Sequence, residues 1–161
     1  MDNLRDRLLQ FLRDHQVMTL AVMDADDNPY AAALFYAVDD ELRLYVVTDP
    51  ATDHGKAMQR NPAVAGTIQL DRQHWHEIQG VQFRGICRQL EGADRVPAWE
   101  IYSTRFPFLL QPNPLLTPAL AKTAMWRIDP SWIRLIDGRL GFGHKEEWTS
   151  PQPGLPEATE S

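Results

Sequence analysis

The run Thr48-Asp49-Pro50-Ala51-Thr52-Asp53-His54-Gly55-Lys56 holds the densest group of chemically capable residues in the chain. An apolar segment ends at Thr48, Asp49-Pro50 turns the chain, and Thr52 can cap a new helix. The first turn of a helix carries backbone N–H groups without partners, and these attract anions. Hydroxyls at Thr48 and Thr52 add donors, and His54 and Lys56 add positive charge. The spacing therefore predicts an anion seat suited to a phosphate. The same residues also suit an ordinary capped helix with solvated charges, and Asp49 and Asp53 oppose an anion by like charge.

Other candidates carry less. His74-Trp75-His76 places two imidazoles close together, but no third and fourth ligands stand at metal-site spacing, so a polar loop is the expectation. Cys87 is the lone cysteine, within an apolar strand-like run, and reads as a small core residue. It leaves no internal disulfide and fits a reducing cytoplasm. No Gly-x-Gly-x-x-Gly, P-loop or Gly-x-Ser-x-Gly occurs. Trp126, Trp132 and Trp148 are expected in the core or at a subunit interface.

The elements that must position these groups follow from periodicity. Leu4, Leu8, Leu9, Phe11 and Leu12 share a helical face, which predicts a helix over 2–15 capped by Asp2 or Asn3. Val17–Met23, Tyr30–Val38 and Leu42–Thr48 read as a three-stranded meander joined by polar turns. A short helix spans Thr52–Arg60 and stops at Asn61-Pro62. Ala63–Leu70 and Ile78–Leu90 are strands. In the second, Val81, Phe83, Gly85 and Cys87 face one way and Gln82, Arg84, Ile86 and Arg88 the other, with Gly85 placed to bend it. Ala93–Arg105 is helical, with Pro97 in its first turn. Residues 107–118 are irregular and proline-rich. Thr123–Ile128 and Trp132–Ile136 are two strands separated by Asp129-Pro130, and 137–148 is a glycine-bearing segment. The class is therefore mainly β in an α+β setting: six or seven largely antiparallel strands in a small barrel or sandwich, with an N-terminal helix and inserted helices.

Composition sets the outer limits. The chain has 161 residues, of which 43% are hydrophobic, enough for one domain over 1–148. Residues 149–161 are mostly Pro, Gly, Thr, Ser and Glu with little to bury, and read as a disordered tail. Sixteen basic against 22 acidic residues give a net charge of −6, which argues against nucleic acid as a partner. No apolar run approaches a membrane span, and the opening residues lack a signal-peptide layout, so the cytoplasm is the expected location.

Asn28-Pro29, Val47-Thr48, Asn61-Pro62, Val64-Ala65-Gly66-Thr67, Gly80–Gly85, Arg105-Phe106-Pro107 and Leu140–Lys145 together resemble the FMN-binding split barrel of the pyridoxamine 5′-phosphate oxidase superfamily. Within it they resemble the YhbP-like bacterial proteins, and the resemblance covers residues 4–148. It implies a homodimer with FMN at the interface and a small-molecule ligand. It also implies that Ala32, Ala33, Leu34 and Phe35 contact the flavin ring, that Val47 and Thr48 form a paired contact, and that Thr52, Asp53 and His54 match the family's phosphate-gripping Ser-Arg-Lys run. Asp53 thus replaces the family arginine and His54 its lysine, with Lys56 nearby. The oxidases' strand glutamine falls at Gly80, beside Gln79 and Gln82. Tyr36, His54 and Lys56 are the side chains expected near the cofactor. The C-terminal arginine and histidine that bind pyridoxine phosphate have no counterpart, so an FMN-dependent oxidoreductase of another substrate is implied. Two alternatives stand beside it. One is a binding module without flavin, suggested by Asp49 and Asp53. The other is a haem or deazaflavin binder, with His54, His74, His76 and His144 as candidate haem ligands.

Overall fold

The computed structural model describes residues 2–151. Helix α1 (Leu4–Asp14) starts where the Asn3 side chain accepts the Asp6 N–H at 2.9 Å, and it buries Leu8, Phe11 and Leu12. Strand β1 (Val17–Met23) alternates as a half-buried strand should, with Met18, Leu20 and Val22 inside. It pairs antiparallel with β2 (Pro29–Phe35).

The segment expected as one strand over Tyr30–Val38 is two. The chain breaks at Tyr36 and resumes as β3 (Ala37–Val38). Tyr36 donates its N–H to the Gln16 carbonyl at 3.0 Å and its phenol to the Leu12 carbonyl at 2.6 Å, and its side chain is buried. Strand β4 (Leu44–Thr48) begins two residues later than expected. Leu42 sits at φ 63° in a turn that Asp39 holds through the N–H groups of Glu41 and Arg43.

Helix α2 (Asp53–Arg60) leads into β5 (Ala63–Gln69), and a 3-10 turn at Trp75–Glu77 precedes the long β6 (Gln79–Leu90). Val81, Phe83 and Cys87 face the core as the alternation requires. The Cys87 sulfur lies 3.4 Å from the Met58 sulfur, and burial pushes its thiol up to about 12. After a 3-10 turn at Gly92–Asp94, α3 (Arg95–Arg105) lies over the outer face of the sheet. The stretch expected to be irregular holds a 3-10 turn (Pro107–Leu110) and α4 (Leu116–Ala121).

The two expected strands on either side of Asp129-Pro130 are a single strand, β7 (Ala124–Asp137). Pro130 lies opposite Gly85 while Trp132 lies opposite Arg84, so Ser131 is the extra residue of a bulge. A bulge can accept a proline, because the ladder hydrogen bond it lacks is already interrupted there. Residues 137–148, read as a glycine-bearing segment, include most of β8 (Lys145–Thr149), which pairs with β7. Of the expected tail, Thr149 ends β8 and residues 152–161 lie outside the described residues.

The main strand order is β2-β1-β5-β6-β7-β4-β3, with β8 beside β7. The sheet is antiparallel throughout and curls into a split barrel filled by Leu20, Phe83, Trp126, Ile128 and the apolar face of α1. A second cluster, including Tyr45, Tyr102, Phe106 and Met125, packs α3 against β4 and β7. Among the described residues no helix is long and apolar enough to cross a membrane.

The bulge yields a test. A Cβ on Gly85 would stand 2.5 Å from the Asp129 carbonyl oxygen, which is backbone and cannot swing away. Gly85→Ala should therefore lower stability by about 2–3 kcal/mol, as overpacking in a closed core does. Urea denaturation of the variant checks this, and an unchanged midpoint would contradict the close approach.

Candidate functional site

Thr48 is the last residue of β4 and is buried. The Trp126 indole N–H donates to its carbonyl at 3.2 Å, and its hydroxyl lies 2.6 Å from His54 Nε2. The turn that follows is tightly wired. Thr52 donates its hydroxyl to the Asp49 carbonyl at 2.7 Å and accepts the Gly55 N–H at 3.0 Å, while the Asp49 carboxylate accepts the Ala51 N–H. Gly55 has no Cβ because one would stand 2.6 Å from the Asp49 carbonyl oxygen. Thr52 is thus the expected cap, and both threonine hydroxyls are committed within the protein.

The donors left for a ligand are the first-turn N–H groups of Asp53 and His54, which precede the first intrahelical bond, from Lys56 N–H to the Thr52 carbonyl. The His54 ring is half-buried, and its desolvation lowers the imidazole pKa despite the opposing pull of Asp53. His54 is therefore mostly neutral at neutral pH and serves as a hydrogen-bond partner of Thr48. Lys56, exposed on the next residue but one, is the formal cation of the turn.

The β2 residues expected at the site divide between two faces. Ala32 and Leu34 pair with Leu20 and Met18 and face inward, and Leu34 packs against the core. Ala33 and Phe35 face outward. Ala33 begins a row that runs across four strands through Thr19, Thr67 and Gln82. Gln82 accepts from Arg134 at 3.4 Å, and beside it the guanidiniums of Arg84 and Arg134 lie over the Trp132 ring, 5.0 and 4.9 Å from its centre. Tyr36, expected near the cofactor, is buried, and its phenol donates to the Leu12 carbonyl.

Phe35 and Val47 come together instead in a cleft of about 260 Å³. Its other walls are Tyr102 and Phe106 near the end of α3, Phe108 and Leu109 in the 3-10 turn, and Leu116 and Leu120 on α4. The Phe35 and Phe106 rings meet edge to face at 5.5 Å. These wall residues were missed in the sequence, where prolines dominated the 107–118 stretch. Their signal is the apolar set Phe108-Leu109-Leu110 and Leu115-Leu116, unusual for a solvated loop.

The remaining histidines lie elsewhere. The His74 and His76 rings stack at 5.8 Å beside Trp75, which meets Phe142 edge-on, and His144 Nε2 is 3.4 Å from Glu146. Among the described residues no three His, Cys, Asp or Glu side chains group as metal ligands would.

The family described as pyridoxamine 5′-phosphate oxidase matches residues 4–137. A UPF0306 protein of Photorhabdus laumondii is 35% identical over 140 residues, covering 86% of this chain and 91% of that protein. A haem-binding protein of Mycobacterium smegmatis superposes with a TM-score of 0.76 at 14% identity, over 92% of this chain and 59% of that one. The haem storage protein HutZ of Vibrio cholerae superposes at 0.61 and 13% identity, over 80% of this chain and 91% of that one.

The half-buried His54 generates a pH test. Its folded pKa lies below that of the unfolded chain, about 6.5, so below that pH the unfolded chain binds more protons at this position. Stability should fall as pH drops through this window and be fully present above it. The His54 imidazole resonance should titrate below the usual range in NMR, and His54→Ala should flatten the acid limb of a urea stability profile. A normal titration midpoint would contradict the burial.

Proposed function

The chain belongs to the pyridoxamine 5′-phosphate oxidase family and to the UPF0306 proteins, and from that premise we propose that it is a flavin-binding split barrel that takes FMN. The observation that carries the reading is the meeting of β2, β4 and α2. Phe35 and Val47 line one cleft, and the Thr48–His54 bond ties the very next residue of β4 to the first turn of α2. A ring surface and an anion seat thus adjoin within one stretch of backbone. The Asp53 and His54 N–H groups and the Lys56 ammonium would hold the phosphate, against the repulsion of Asp49 and Asp53. Ala33, Phe35 and Val47 would flank the ring. When bound, the flavin supplies the redox chemistry, and the chain's residues bind it, orient it and exclude water.

The open sheet face supports a second copy as the partner. Val17, Phe35 and Ile86 leave 45%, 52% and 50% of their surface exposed on it. Such apolar exposure suits burial against a symmetric partner, with the cofactor between the subunits. The cleft presents no basic side chain to a substrate phosphate, so the reading is an oxidoreductase-like protein with a substrate other than pyridoxamine phosphate.

A haem reading has one observation of its own. The paired His74 and His76 rings stand beside exposed Trp75 and Phe142, an apolar rim with imidazole ligands, and two fold neighbours are haem proteins by name. A Soret band on haem titration, lost in His74→Ala or His76→Ala, would favour it over flavin.

The flavin reading predicts that freshly purified or reconstituted protein carries a visible flavin absorption band, and that titration quenches FMN fluorescence. Lys56→Glu, at an exposed position, should weaken FMN about tenfold by removing attraction and adding repulsion. No quenching at tens of micromolar FMN would remove the flavin reading.

A further inference from the structure

We infer that the cleft between Phe35, Val47 and the 107–121 segment is a binding pocket for an uncharged, planar one- or two-ring compound, the substrate class of the site. The inference uses the flavin reading only to make this ligand the substrate; occupancy of the cleft stands on its walls alone.

The chemistry of the lining is one-sided. Phe35, Phe106, Phe108, Leu109, Leu116 and Leu120 supply ring and aliphatic surface, and no wall residue carries a formal charge. Two hydroxyls are present, and neither ionises at neutral pH. Thr123 donates to the Leu120 carbonyl at 2.7 Å, and burial pushes the Tyr102 phenol up to about 12. A carboxylate or phosphate entering this space would lose water and gain no counter-charge, which strongly disfavours it. A neutral aromatic ring loses little and gains edge-to-face contact of the kind Phe35 already makes with Phe106.

Size narrows the class. Ligand pockets commonly enclose about 300–1,000 Å³, and 260 Å³ lies just under that range. The cleft suits one or two fused rings and excludes a porphyrin or a long acyl chain. Position makes the ligand relevant to the site, because Phe35 and Val47 belong to both the cleft and the proposed ring surface. The walls facing them come from the 3-10 turn, whose Leu109 packs on the cluster around α3, and from α4, and neither adds a residue to the barrel core. An adjoining hollow shares Val47, Leu120 and Thr123 but is lined by Arg95. It provides an internal contrast, since an anionic ligand would choose Arg95.

The full-length protein, without added flavin, is titrated with 2-naphthol and with 2-naphthoate, following tryptophan fluorescence and calorimetry. The naphthol should bind at least about tenfold tighter than the carboxylate. Leu120→Arg should reverse that preference. Phe108→Ser, at a half-exposed position that cannot unfold the barrel, should weaken naphthol by about five- to tenfold. Arg95→Ala should leave naphthol affinity unchanged. Equal affinity for the two probes, insensitivity to both Leu120→Arg and Phe108→Ser, or loss of naphthol binding in Arg95→Ala would each overturn the pocket. Repeating the titration with FMN present separates the two readings. Naphthol binding without any FMN binding removes the flavin and keeps the pocket. FMN binding without naphthol binding removes the pocket alone, and competition between them would overturn it as a separate substrate site.

Discussion

Tyr36 is the residue on which the architecture turns. It is the single residue between β2 and β3, and those two strands stand at opposite ends of the strand order. Consecutive residues can occupy both ends only if the sheet curls until its edges meet. Two hydrogen bonds hold the crossing: N–H to Gln16, on the connection between α1 and β1, and phenol to Leu12, in the last turn of α1. A buried phenol without that acceptor would cost about 1–3 kcal/mol, so the bond both stabilises the crossing and selects it. The same bonds seat α1 against the barrel, where Leu8, Phe11 and Leu12 complete the core.

The functional geometry is a consequence of that closure. Because β2 is drawn back toward β4, Phe35 arrives beside Val47, a contact that is not local in sequence. The anion seat, by contrast, is almost wholly local: Asp49, Thr52 and Gly55 wire their own turn through hydrogen bonds spanning two or three residues. The candidate site therefore joins a preformed turn to a surface that exists only in the closed barrel. The position of Tyr36 therefore shapes the candidate site although its side chain is buried.

What the sequence could disclose follows the same division. Local signals were legible. Thr52 caps α2, Asn3 caps α1, Gly85 marks a bulge, and the alternation along β6 sorts its residues correctly between core and surface. Signals that depend on a distant partner misled. Tyr36 looked like one more strand residue, because nothing nearby shows that its phenol will meet Leu12. Asp129-Pro130 looked like a break, because the tolerance for Pro130 is supplied by Gly85 on another strand. The prolines of 107–118 suggested irregular chain, yet Pro107 opens a 3-10 turn and Pro118 lies inside the first turn of α4, positions where proline's missing N–H costs little.

Electrostatics then decides how the two halves of the site divide the work. His54 is mostly neutral when folded and spends one ring nitrogen on Thr48, so the turn carries one formal cation, Lys56, against the carboxylates of Asp49 and Asp53. Such a seat can hold an anion through backbone dipoles but adds little long-range attraction. The free energy of holding a ring-bearing cofactor must then come mainly from apolar contact with Phe35, Val47 and the outward face of β2, which is roughly proportional to the area removed from water. That surface is half-exposed in a single chain. A second copy laid over it would bury the remainder, so in this protein the affinity for a flavin and the association of two subunits would draw on the same apolar surface and strengthen each other.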